Sequence, residues 1–229
     1  MNTATEIAEW LEANCNEANK AGMARYGIDA ENAVGVRLPD LRAAAKPLRG
    51  NTPLARELWA TGIHEARIMA SMIASPKDFT EQDMRGWVAD FRSWDLCDQC
   101  CNNFFYRLPF AYKYIYEYAE HEGEFDRRTG FSILATLAVH DRKAPDSVFE
   151  NYLPLIIKYS TDPRNYVRKA VNWALRSIGK RNYALCDKAA ETARQLIDSG
   201  DKTARWIGRD ALTELTDETI LARIGRHSK

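Results

Sequence analysis

The chemistry this sequence offers rests on two tryptophans, one aspartate and a few cations. Trp94 and Asp98 are four residues apart on a helix that Ser93 is placed to cap, so they share one side. At about 100° per residue, Cys97, Cys100, Cys101, Phe104 and Leu108 gather on the apolar face. Asp98 is left at the edge of that stripe, flanked by Trp94, Asn102 and Asp95. A carboxylate beside an aromatic ring in this position reads as a site. The plainer reading is a helix-dipole carboxylate with a tryptophan half-buried at an inter-helix joint. A second helix places Lys169, Trp173, Arg176 and Lys180 opposite the stripe of Val167, Ala170, Val171, Ala174, Leu175 and Ile178. A tryptophan ringed by cations offers a surface to a sugar or base lying along a phosphate backbone, or packs on a neighbouring repeat. On a third helix Arg128 shares a side with Ser132 and Thr136, which leaves room for a close phosphate. Pairing of Arg128 with an acid of an adjacent helix is the alternative. Arg127 and the pair Lys180 and Arg181 are expected to be solvated.

These residues need helices to hold them, and nearly every segment shows a helical period, with no alternating run that marks a strand. Helices are predicted over residues 5–20, 38–45, 52–59, 62–74, 80–91, 94–106, 109–120, 125–139, 145–159, 163–179, 183–199 and 202–215. In the first of them Ile7, Trp10, Leu11 and Cys15 face inward. Connections are short and no Gly/Ser-rich linker divides the chain, so one all-α domain over residues 1–229 is expected. Arg67, Arg128, Arg168 and Arg205 each begin a helix with small or aliphatic residues six and seven positions later. A unit of roughly 30–40 residues suggests stacked HEAT-like helical pairs in a curved α-solenoid, an alpha-alpha superhelix with a concave inner surface. An irregular helical bundle is the alternative.

The 32 basic residues balance the 32 acidic ones, so a nucleic-acid partner requires the cations to be segregated onto one surface. No apolar run approaches a membrane span, and residues 1–10 carry two glutamates without a basic n-region. The five cysteines are odd in number and three fall within one turn, which suits reduced thiols in a cytoplasmic protein. Cys97 and Cys100 have no second ligand pair at workable spacing, and no metal site is expected.

Five motifs in order resemble one family: Met23-Ala-Arg-Tyr26, Gly35-Val-Arg-Leu-Pro39-Asp-Leu-Arg42, Trp94-Asp95-Leu-Cys-Asp98, Arg128-Thr-Gly-Phe-Ser-Ile-Leu134 and Lys169-Ala-Val-Asn-Trp173-Ala-Leu-Arg176. The chain resembles the bacterial DNA alkylation repair glycosylases of the AlkD type, which are built from HEAT-like repeats. The resemblance spans nearly the whole chain, and the chain departs from the family in its Cys97–Cys101 turn and its zero net charge. It implies Asp98 as the catalytic aspartate, Trp94 and Trp173 as aromatics cradling the damaged nucleotide's sugar, and Arg128 as a DNA-contacting arginine. Tyr26 falls beside the DNA backbone, and Lys169, Arg176 and Lys180 are candidate DNA-binding cations. The implied substrate is duplex DNA with alkylated purines, bound by a monomer without a base-flipping pocket. A purine alkylated at ring nitrogen three or seven is already a good leaving group. The enzyme then has to stabilise the cation growing on the deoxyribose, which a fixed carboxylate and tryptophan faces do electrostatically. No cofactor is needed for that hydrolysis. A non-catalytic DNA-structure binder and a protein–protein HEAT adaptor are the alternatives.

Overall fold

The computed structural model describes residues 1–227, and all regular structure among them is helical. The backbone forms two compact units, Met1–Ala111 and a second beginning at Tyr112. The first holds α1 (Ala4–Ala13), α2 (Glu17–Met23), α3 (Leu38–Ala45), α4 (Thr52–Ala60), α5 (His64–Ile73), α6 (Glu81–Ala89) and α7 (Trp94–Asn103), with short 3-10 turns at Ala24–Tyr26, Lys46–Leu48 and Phe105–Arg107. Next come α8 (Ala111–Glu120), α9 (Glu124–His140), α10 (Asp146–Glu150), α11 (Leu153–Tyr159), α12 (Asn165–Gly179), α13 (Tyr183–Asp198), α14 (Lys202–Leu215) and α15 (Glu218–His227).

Two predicted helices are in fact broken. Residues 5–20 divide because the Asn16 side chain caps a new helix by accepting from the Asn19 amide, which leaves Cys15 exposed at the break. Residues 145–159 divide ahead of Pro154, which sits in the first turn of α11, where its missing N–H costs nothing. Helix α15 was not predicted.

In the first unit α5 packs on α3, α4 and α7. Its core is aromatic: Trp59 and Trp87 stack at 4.1 Å, and Phe79 meets Trp87 and Phe104 edge-on at 4.7 and 4.8 Å. In the second unit α9 packs most extensively on α12, and α13 on α14. Gly130 lets α9 approach α8 closely, since a Cβ there would lie 2.7 Å from the Ile115 carbonyl oxygen.

The repeat is written into the side-chain bonds. Trp59 Nε1 donates to Asp90 across 31 residues, and His64 reaches Asp95 across 31. Arg127 reaches Asp162 across 35, and Asn172 reaches Asp210 across 38. Each bond joins successive helical pairs, at a spacing within the period the sequence suggested. Arg127 is the repeat counterpart of Arg67, not Arg128: both donate Nε to the carbonyl eight residues earlier and an Nη to an aspartate. Arg127, expected in solvent, lies over the Tyr159 ring at 4.5 Å.

Candidate functional site

Helix α7 organises the candidate site. Ser93 occupies its N-cap position without capping it through the side chain. The Ser93 hydroxyl instead donates to Asp95 Oδ1 at 2.5 Å and accepts from the Asp29 amide at 3.2 Å. The other Asp95 oxygen lies 2.8 Å from His64 Nε2 at the start of α5. His64 is 6% exposed and Ser93 3%, so this cluster is an internal clamp that fixes where α7 begins. Burial pulls the His64 pKa down, but the hydrogen bond and charge of Asp95, with Glu65 and Asp29, outweigh it and raise it above 6.5. Burial raises the Asp95 carboxyl, yet His64, Ser93 and the Leu96 amide together bring it below the usual value.

With Asp95 held in this clamp, Trp94 and Asp98 lie alongside it on α7, one turn apart. Both are half-buried. The Trp94 indole N–H donates to the Tyr26 carbonyl at 2.9 Å, which fixes the ring, and Tyr26 itself is 74% exposed. Tyr26 ends a 3-10 turn that Gly27 closes at φ 68°. Asp98 follows Trp94 by one turn, and its carbonyl accepts the Asn102 side-chain amide at 2.9 Å. The structure thus brings together Tyr26, Trp94 and Asp98. Glu65 ties down the loop beyond Tyr26, accepting from Val34 N at 2.9 Å and Gly35 N at 2.7 Å. A cavity of about 390 Å³ lies between α3, α5 and α7, walled by Leu41, His64, Ile68, Asp95 and Gln99 among others.

In the second unit the predicted residues diverge. Trp173 is half-buried on α12 and Lys169 is exposed. Arg176 and Lys180 are not an open cationic ring: both pair with Glu214 of α14, Lys180 at 2.6 Å, and Arg176 also lies 3.7 Å from Asp210. The expected removal of acids from this face is therefore corrected by α14, which turns its carboxylates toward α12. Arg128 is 5% exposed and donates Nη1 to the Tyr166 carbonyl at 2.6 Å. Ser132 and Thr136 are buried as well, and the Thr136 hydroxyl bonds back to the Ser132 carbonyl. The expected open pocket beside Arg128 is absent because α9 is covered on both sides.

Sequence reasoning missed the His64–Asp95–Ser93 clamp. The 31-residue spacing of His64 and Asp95, equal to one repeat, was the available signal. Among the described residues no group of His, Cys, Asp or Glu is set to hold a metal, and no helix is long and apolar enough to cross a membrane.

A family model described as DNA alkylation repair enzyme matches residues 7–215. One solved structure comes from work on "a new family of proteins related to the HEAT-like repeat DNA glycosylases with affinity for branched DNA structures". It is 25% identical, with a TM-score of 0.76 over 85% of this chain and 83% of that chain. A designed armadillo repeat protein bound to a (KR)4 peptide is 11% identical over 82% and 80% of the two chains, with a TM-score of 0.36, too weak a likeness to carry an argument. No curated protein matches the chain.

Proposed function

The chain belongs to the DNA alkylation repair enzyme family, and from that premise we propose that it is a DNA glycosylase of base excision repair. It hydrolyses the N-glycosidic bond of positively charged alkylated purines in duplex DNA without a base-flipping pocket. It acts as a monomer, with residues 1–229 working as one repair domain. The observation that supports this reading best is the fixed Trp94 indole beside Asp98. The ring is held by the Tyr26 carbonyl, and a half-buried carboxylate follows one turn later. In this reading Asp98 opposes the cation that grows on the deoxyribose as the bond breaks and orients the attacking water. Trp94 presents its ring face to the same charge, and Trp173 is the further aromatic candidate on α12. Tyr26 and Lys169, both exposed, contact the DNA backbone. Arg176 and Lys180 are held by Glu214 and reach phosphate only as cations shared with that carboxylate, and Arg128 acts chiefly by fixing the Tyr166 backbone.

A non-catalytic DNA-structure binder is the second reading. It is favoured by the relative described as having affinity for branched DNA. One experiment separates them: incubation with methylated duplex DNA and chromatography of released bases, alongside binding to a four-way junction. Released alkylpurines support the glycosylase. Tight junction binding without release supports the second reading, and neither result leaves a protein–protein adaptor.

A further inference from the structure

One opening lined by the C-terminal ends of α3, α5 and α7 touches neither Trp94 nor Trp173. It is a groove of about 670 Å³ whose walls include Arg42, Arg49, Lys77, Arg107, Asn102 and Asn103. Arg42 comes from α3, Arg49 and Lys77 from the loops after α3 and α5, and Arg107 from the 3-10 turn after α7. All four cations are exposed. Among the described residues none of the four forms an ion pair, and no carboxylate lines the groove. What sets them apart from other unpaired cations of the chain is that all four line one groove. Arg37, Arg56 and Arg67 in the same unit each hold an aspartate, and Arg176 and Lys180 hold Glu214. Four uncompensated cations in one concavity raise the local potential and draw a polyanion.

We propose that this groove is a backbone-phosphate track for the nucleic-acid strand whose nucleotide lies over Trp94 and Asp98. The inference rests on the DNA reading above and adds residues that reading does not use. Helix α7 supplies the connection. Trp94, Asp98 and Asn102 recur every four residues along one side, and Asn102 walls the groove. Asp98 and Asn102 are about 6 Å apart along the helix axis, a short step for a sugar-phosphate chain. The groove presents guanidinium forks and an ammonium, which suit phosphate oxygens. These contacts carry no base information, so the track holds damaged and undamaged strands alike. The half-buried carboxylate is left as the group that acts on the lesion.

The test is fluorescence anisotropy of an unmodified 20-base-pair duplex from low to moderate salt. R42A/R49A/K77A/R107A is compared with the wild type and with K143A/R194A, which removes two exposed cations outside the groove. Each lost phosphate contact lowers the slope of log affinity against log salt by about 0.9, so the fourfold variant loses up to about 3.6. Its affinity at 50 mM salt falls by roughly tenfold or more. K143A/R194A keeps the wild-type slope. The charge-preserving variant R42K/R49K/R107K also keeps it, which guards against a folding defect in the alanine protein. An unchanged slope in the fourfold variant overturns the track while leaving the glycosylase reading intact. An equal loss per charge in K143A/R194A also overturns it, because bulk charge then explains the binding. A slope lost in the lysine variant assigns these residues a structural role and overturns the track too. A wild type that binds no DNA removes the DNA reading and the track together.

Discussion

Asp95 and Asp98 lie three residues apart on one helix, and the structure gives them separable jobs. Asp95 accepts from Ser93 at 2.5 Å and faces His64 at 2.8 Å. Replacing it with alanine strands an imidazole 6% exposed and a hydroxyl 3% exposed. Breaking a buried charged pair by removing one partner costs about 3–5 kcal/mol, because the remaining charge stays desolvated. For a chain of this size that corresponds to a fall of roughly 6–20 °C in the thermal midpoint, at about 2–4 °C per kcal/mol. Asp98→Asn should behave in the opposite way. Its carboxylate is half-buried and its replacement keeps the shape, so the midpoint should move by no more than about 2 °C. Single-turnover release of a methylated purine from duplex DNA should slow by roughly 10²-fold, the scale of one lost transition-state stabiliser. Binding to unmodified duplex should hold or tighten, because an acidic group has left a surface facing phosphates. The assay pairs calorimetry with release kinetics on both variants. Undiminished release in Asp98→Asn refutes the mechanism. Unfolding of that variant returns Asp98 to the role of a helix-terminus carboxylate, and a stable Asp95→Ala refutes the clamp.

The clamp also predicts a pH window. His64 is raised above 6.5, so its contribution is complete below 6.5 and is lost as pH climbs through the folded value. Asp95 is lowered below 3.8, so its contribution is complete above 3.8 and is lost as pH falls through the folded value. Thermal midpoints across pH 3 to 9 should be highest between those limits, and the alkaline decline should flatten in His64→Gln; an unaltered alkaline limb would count against the pair. Gly35→Ala should destabilise by at least about 2 kcal/mol, since φ is +79° and the new Cβ would lie 2.2 Å from the Asn16 carbonyl oxygen. Gly86→Ala, exposed within α6 with nothing near its Cβ, should instead stabilise by about 0.4–1 kcal/mol. Urea titrations of the two variants shifting in the same direction would contradict that contrast.

What was legible in the sequence was what a single helix decides. Trp94 and Asp98 share a side because helical geometry places residues four apart together, whatever surrounds them. The all-α HEAT-like repeat followed from periodicity and short connections, and the solved relative has the same fold. What could not be read was which helix has a second neighbour. Arg128, Ser132 and Thr136 project as a polar stripe, but α9 is covered on that side too, so they form internal bonds instead of an open pocket. Arg127 and Arg128 differ by 100° of rotation, and only the neighbouring Asp162 decides which of them repeats the role of Arg67. The breaks near Asn16 and Pro154 were marked by residue types that cap and start helices, and an apolar period running through them hid the marks.

Zero net charge is a weak guide to partners in a chain built this way. Several joints between the stacked helical pairs are tied by opposite charges or amides at the repeat spacing. Arg127 and Arg164 converge on Asp162, and Arg176 and Lys180 on Glu214. Such stitching contacts contribute less external field than free charges do, because the opposite charges lie within hydrogen-bonding distance. The field at the surface is set by whatever remains unpaired. In the first unit that remainder includes Arg42, Arg49, Lys77 and Arg107 around one groove. A neutral total therefore permits a locally cationic surface, and charge matters here through its pairing pattern more than through its sum.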